Sequence, residues 1–209
     1  MRGMLIVRHA QSTWNAEGRW QGQADPPLSD LGERQARAAA RRLAAEDRFD
    51  LVVSSDLIRA TRTGALIASE LGLESSLRIE VGLREYDVGA WSGCTRDEIE
   101  ERWPGDLVRF SQGELDSPGA GESRLAFDVR VADAGRSLAS QAVAGGAQRV
   151  LVVAHGGVIR SMARRAGLPD QRTGHLAGYR GSFEEDGLFP SEAVDLLEGD
   201  DDDGSFLSL

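Results

Sequence analysis

Three short runs of uninterrupted apolar residues constrain this chain most. They are Met4-Leu5-Ile6-Val7, Leu51-Val52-Val53 and Val150-Leu151-Val152-Val153. Side chains of a strand alternate between two faces, so a run with no polar member needs cover on both sides. That is the pattern of buried strands in a parallel sheet. Helical patterns stand between and after the runs. Residues 29–45 open on the capping sequence Ser29-Asp30-Leu31-Gly32-Glu33 and continue in strong helix formers. Residues 56–71 stop at Gly72, residues 158–166 stop at Gly167 and Pro169, and a long helix over 124–143 follows a Gly/Pro-rich loop. Strands alternating with helices predict an α/β domain with helices on both faces of a mostly parallel sheet. No linker or repeat divides the chain, so one domain over 1–209 is expected.

Composition excludes several chemistries. All 24 basic residues are arginine. Without lysine there is no Walker A loop, no Schiff base and no pyridoxal phosphate chemistry. Cys94 is the single cysteine, which leaves no internal disulfide, no multi-cysteine zinc site and no iron–sulfur cluster. Nor is it the nucleophile of a Cys-x5-Arg phosphatase, because Glu100 stands where the arginine is needed. A net charge of -10 disfavours nucleic acid and anionic membranes as partners. The first apolar run is too short for a signal peptide, and no stretch approaches the ~20 apolar residues of a membrane span. A cytoplasmic location is expected. The acidic stretch 198–204 lacks the ligand spacing of an EF-hand loop and reads as a solvated tail.

Two of the three histidines, His9 and His155, follow the carboxyl ends of predicted buried strands. Ligands of open α/β sheets bind at those ends. If the two strands are neighbours, both imidazoles face one crevice. Arg59 lies near the start of the helix after the Leu51 strand, a position suited to a phosphate. Arg62, three residues on, reads as a surface ion-pair residue. Histidines, arginines and helix N-termini at one edge make a site for a tetrahedral dianion. A neutral imidazole held as N–H on one nitrogen is a nucleophile toward phosphorus through the other. Arginines and a second histidine stabilise charge on the equatorial oxygens. The leaving alkoxide needs an acid, and Glu85, in Leu83-Arg84-Glu85-Tyr86-Asp87 before Gly89-Ala-Trp-Ser-Gly, is a candidate.

These residues sit in longer motifs. Arg8-His9-Ala10-Gln11-Ser12-Thr13-Trp14-Asn15, Gln21-Gly22 and Asp25-Pro26-Pro27-Leu28-Ser29 come first. Ser54-Ser55-Asp56-Leu57-Ile58-Arg59-Ala60-Thr61-Arg62, then Leu83-Arg84-Glu85, then Val152-Val153-Ala154-His155-Gly156-Gly157 follow in order. Together they resemble the histidine phosphatase superfamily, and within it the phosphoglycerate-mutase-like branch, over about residues 4–168. The resemblance implies a three-layer α/β/α sandwich and chemistry with no metal or other cofactor. It implies His9 as the nucleophile that becomes a phosphohistidine. Arg8, Arg59 and His155 would complete the phosphate pocket, with Glu85 as the acid–base residue. Asn15, Gln21, Gly22 and Gly156 would line the substrate site. Residues 92–123 and the C-terminal segment would be variable lids, and a homodimer lies within the range of assemblies the resemblance allows.

Mutases of this branch carry a basic stretch after the catalytic Glu, a nearby Lys and a paired Arg-Arg. Here Glu85 is followed by Tyr86-Asp87-Val88-Gly89, Lys is absent, and residues 106–117 hold Arg109 without an Arg-Arg pair. A phosphatase acting on a small phosphomonoester, such as a sugar phosphate or a phosphoglycerate derivative, is the expected activity. The acidic lid weighs against highly anionic polyphosphates. The rivals are a mutase, a phospho-ligand binding module and a hydrolase with metal on His9 and His155. An α/β-hydrolase is discounted, since no Gly-x-Ser-x-Gly elbow exists. Trp20 reads as a rim aromatic, Cys94 as a bystander, His175 as structural or exposed, and the Arg-rich segment 34–42 as solvated surface with acidic partners.

Overall fold

The computed structural model describes residues 2–169 and 173–197. The acidic stretch 198–204 lies outside the described residues. The strands are β1 (Gly3–Arg8), β2 (Leu51–Ser54), β3 (Leu77–Ile79), β4 (Arg149–Ala154), β5 (Ala177–Glu184) and β6 (Gly187–Asp195). The α-helices are α1 (Thr13–Ala16), α2 (Asp30–Glu46), α3 (Ile58–Glu70), α4 (Arg96–Arg102), α5 (Asp106–Ser111), α6 (Arg124–Ala144) and α7 (Gly156–Arg165). The sheet runs in the order β3-β2-β4-β1-β5-β6. β3, β2, β4 and β1 pair in parallel, while β5 and β6 add an antiparallel hairpin beside β1.

Alternation along the central strands divides the core in two. Leu5, Val7, Val52, Leu151 and Val153 face α2 and α3, whose Ala36, Ala39, Ala40, Leu43 and Ile67 are buried against them. Met4, Ile6, Val53, Val150 and Val152 face the other way, onto Phe127, Val131 and Leu138 of α6 and Val158, Ile159 and Met162 of α7. Both faces are covered because both are apolar. Each Leu or Ile buried this way contributes about 1.5–3 kcal/mol. The three-layer α/β/α arrangement is thus the solution that the uninterrupted runs require.

Some boundaries differ from the sequence reading. α3 begins at Ile58 rather than at residue 56, and its cap residue Leu57 supplies no side-chain hydrogen bond. Asp25 Oδ1 takes the Ile58 N–H instead, at 2.6 Å. α7 begins at Gly156, directly after His155. The β5–β6 hairpin escapes a search for apolar runs, since β6 is an edge strand with mostly exposed residues. Residues 92–123 fold as α4, α5 and a turn at 118–120. Among the described residues no helix is long and apolar enough to cross a membrane.

Candidate active site

Register brings the site together. Arg8 is paired with Ala154, and Ser54 with Val153, across adjacent parallel strands. The ladder runs one residue further, with His9 N–H donating to Ala154 O and Ser55 N–H to Val153 O. His9, Ser55 and His155 therefore stand level at the carboxyl edge, where the His9 and His155 rings meet edge-on with centroids 5.2 Å apart. The condition set by the sequence, that the two strands be neighbours, is met.

His9 is buried, and its Nδ1 lies 2.6 Å from Ala10 O. A carbonyl only accepts, so Nδ1 carries the proton and Nε2 keeps its lone pair. Arg59 Nε donates to that Nε2 at 3.3 Å. Burial, then the nearby Arg59, His155 and Arg8, hold the His9 pKa well below that of a free imidazole. His155 is fully buried and its pKa is likewise lowered, by burial first and by Arg59 and Arg8 after it. Its Nε2 meets Ser55 Oγ at 2.9 Å, while its buried Nδ1 has no partner among the described protein atoms. Ser55 Oγ already accepts the Leu57 N–H, so its own proton is free for His155 Nε2. That network leaves an N–H on the buried His155 Nδ1.

The cations are anchored through the backbone. Arg59, 1% exposed, donates from Nη1 to Ala24 O at 2.7 Å and from Nη2 to Gly22 O at 2.8 Å. Gly22 has φ of 52°, and a Cβ there would meet the Val88 side chain at 2.7 Å. Arg8 donates from Nη1 to Thr173 O, and its buried Nε has no partner among the described residues. Burial lowers both guanidinium pKa values to about 10, which still leaves them charged at neutral pH.

Two amides complete this end of the site. Asn15 Oδ1 accepts from the Ser12 N–H, Gln21 Oε1 accepts from Ser12 Oγ at 2.7 Å, and both side chains line the cavity. With their oxygens turned to Ser12, their NH2 groups are left for a ligand. Ser12, which caps α1, is the hub of this arrangement.

Glu85 enters from the opposite wall. Its Oε2 accepts the Gly157 N–H at 3.0 Å and its Oε1 the Tyr86 N–H at 2.8 Å. A Cβ on Gly157 would collide with that carboxylate. The segment carrying Glu85 is held by Arg130 of α6. Arg130 Nη1 donates to Gly82 O and Arg84 O, each at 2.9 Å, and Nη2 to Glu85 O at 3.3 Å. Glu122 pairs with Arg130 from the other side at 2.7 Å.

Eight of the nine residues singled out by sequence (Arg8, His9, Asn15, Gln21, Gly22, Arg59, Glu85 and Gly156) line one cavity of about 680 Å³; the ninth, His155, is fully buried against the His9 ring. Leu107, Val108 and Phe110 of α5 supply part of its wall. Trp20 lines it too, in edge-on contact with Phe110 at 6.2 Å. Arg62 forms the expected ion pair, with Glu33. Cys94 is buried beside the Ala90 carbonyl and Arg102, away from the cavity lining. His175 is closer to the chemistry than the sequence indicates. It is half-buried, its ring centre is 6.4 Å from that of His9, and burial pushes its pKa down to about 3. Sequence reasoning also passes over Ser12, Ser55, Arg130 and Glu122. A serine three residues before Asn15 was the available signal for Ser12. The others reach the site through hydrogen bonds and an ion pair between segments distant in sequence. Among the described residues no three His, Cys, Asp or Glu side chains converge as metal ligands.

The profile of the histidine phosphatase superfamily (branch 1) matches residues 4–181. A 2,3-bisphosphoglycerate-dependent phosphoglycerate mutase of Methylobacterium sp. is 39% identical over 165 residues, 77% of this chain and 78% of that one. A metal-independent phosphoserine phosphatase of Arabidopsis thaliana is 38% identical over 164 residues, 78% of this chain and 67% of that one. A mycobacterial glucosyl-3-phosphoglycerate phosphatase, solved in complex with VO3, superposes with a TM-score of 0.75 at 33% identity, covering 93% of this chain and 98% of that one. This chain belongs to branch 1 of the histidine phosphatase superfamily, as a phosphoglycerate-mutase-like phosphatase that acts on phosphorylated metabolites.

Proposed function

We propose that the protein hydrolyses a phosphomonoester of a small metabolite, a sugar phosphate or a phosphoglycerate derivative, through a phosphohistidine on His9 and without a metal. The observation that carries this reading is the 2.6 Å contact between His9 Nδ1 and Ala10 O, which leaves Nε2 as a lone pair at the edge of the cavity. Arg8 Nε, His155 Nδ1 and the amide NH2 groups of Asn15 and Gln21 are donors without an acceptor among the described residues. A dianionic phosphoryl group satisfies them.

His9 Nε2 attacks phosphorus in line while the ester P–O bond breaks. An equatorial oxygen replaces Nε2 as the acceptor of Arg59 Nε, and Arg8 and His155 take the others, so charge is stabilised where it develops. Glu85 gives its proton to the leaving oxygen. Water then attacks the phosphohistidine, Glu85 takes a proton from it, and the P–N bond breaks to return inorganic phosphate and neutral His9. Fixed arginines do what a metal ion does elsewhere. Phosphate release from a panel of phosphomonoesters in excess chelator tests the reading. Release is expected. Its absence alongside interconversion of 2- and 3-phosphoglycerate would make the protein a mutase instead, as the Methylobacterium relative's name states of that protein.

A further inference from the structure

The cavity does not share the charge of the protein around it. The chain carries a net charge of -10. Yet the charged residues among the described cavity lining are seven arginines and one carboxylate, Glu85. The acidity of the 92–123 region does not reach the site, contrary to the sequence expectation. Glu98 pairs with Arg19, Asp106 with Arg109, and Glu100 accepts the Gly105 N–H at the surface.

Most of these arginines already have a task or a counter-charge. Arg8 and Arg59 belong to the phosphoryl end. Arg19 pairs with Glu17 and Glu98, and Arg164 with Asp128. Arg124 donates to Phe110 O and stacks over that ring at 5.5 Å. Arg160 differs. It is half-buried and lines the cavity, and no hydrogen bond or ion pair joins it to any described residue. Arg8 is near enough to feel it as a like charge. A part-buried cation beside other cations, with no paired carboxylate among the described residues, is an arrangement that an anion relieves.

Its place on α7 says which part of a substrate it meets. Gly156, Arg160 and Arg164 are spaced by four and share one helix face. At about 1.5 Å of rise per residue, Arg160 stands roughly 6 Å along the axis beyond Gly156. Gly157, at the start of the same helix, holds Glu85, the acid that meets the leaving oxygen. Arg160 therefore lines the same cavity about one helical turn from the residues that hold Glu85 and the phosphoryl end.

We propose that Arg160 is a specificity residue that binds a second anionic group, a carboxylate or a phosphate, carried by the leaving group. The substrate is then a phosphomonoester with a second anion a few bonds from the ester oxygen. The placement of that anion on the leaving group rests on the hydrolase reading above, whereas the binding of a second anion does not.

The experiment compares three ligands: glycerol 3-phosphate, 3-phosphoglycerate and propane-1,3-diol bisphosphate. The first has a hydroxymethyl group where the second has a carboxylate and the third has a methylene phosphate, so the arms separate the two anion types. Calorimetry on His9→Ala protein gives affinities independent of turnover, and kcat/KM on protein with His9 intact gives the kinetic preference. At least one dianionic-plus ligand is expected to bind about tenfold or more tighter than glycerol 3-phosphate, the size of a charge-assisted contact. Arg160→Gln in the same background should reduce that ratio to near unity, and Arg160→Lys should keep most of it. Equal affinities in the His9→Ala protein, or a ratio that survives Arg160→Gln, would overturn the proposal. A binding preference with no hydrolysis of any ligand would support the subsite and count against the hydrolase reading alone.

Discussion

Arg59 Nε lies 3.3 Å from His9 Nε2, while both of its Nη atoms are tied to the carbonyls of Gly22 and Ala24. The guanidinium is thus fixed by three contacts before any ligand arrives, and the contact with His9 is the one that a phosphoryl oxygen would replace. Lysine cannot reproduce a planar fork of this kind. Arg59→Lys should therefore lower kcat by about 10²–10³, comparable to losing one donor of an oxyanion site. Steady-state kinetics on an aryl phosphate checks this. A loss below about threefold would mean that the charge alone suffices.

Arg130 touches no reacting atom, yet it and Glu122 fix the segment that aims Glu85. Arg130→Gln should slow hydrolysis of alkyl phosphates, whose leaving oxygen needs a proton, more than that of 4-nitrophenyl phosphate, whose leaving group needs little help. A tenfold difference between the two losses is a reasonable scale, about one pKa unit of driving force. A general loss of structure would lower both substrates alike. Gly157→Ala should show the same leaving-group signature, since its Cβ would displace the Glu85 carboxylate directly.

Much of this site is legible in the sequence, and the reason is topological. Parallel strands buried on both faces are forced into uninterrupted apolar runs, so their carboxyl ends can be read to the residue, and Arg8, His9, Ser54 and His155 stand there. Arg59 is readable because a helix must start after β2. The parts that are not legible depend on contacts between distant segments. His175 comes beside His9 because Leu176 N–H donates to Arg8 O at the start of the β5 hairpin, a pairing with no periodic signature. The basic cavity within an acidic chain is hidden for a similar reason. Counting charges in residues 92–123 does not tell which of them pair with Arg19 and Arg109 and which face inward.

The buried histidines should show in the pH dependence of stability. In the folded chain His9, His155 and His175 have lowered pKa values, His175 down to about 3. The unfolded chain takes up protons near pH 6.5 that the folded chain refuses, so stability falls as pH drops below about 6.5. Each such imidazole contributes a slope of up to about 1.4 kcal/mol per pH unit there. Urea unfolding between pH 7.5 and 5.5 should show the loss, and His175→Gln should reduce the slope. A flat profile over that range would mean that these rings protonate in the folded state.

The central claim is that His9 carries the phosphoryl group, and trapping that intermediate tests it most directly. Protein mixed with labelled phosphomonoester is quenched in alkali during turnover, digested, and the labelled peptide mapped. The expected result is an acid-labile, alkali-stable phosphoryl group on the peptide containing His9, absent in His9→Ala and longer-lived in Glu85→Gln. Turnover with no label on His9, or label on His155, would contradict the phosphohistidine route drawn from the 2.6 Å contact of His9 with Ala10.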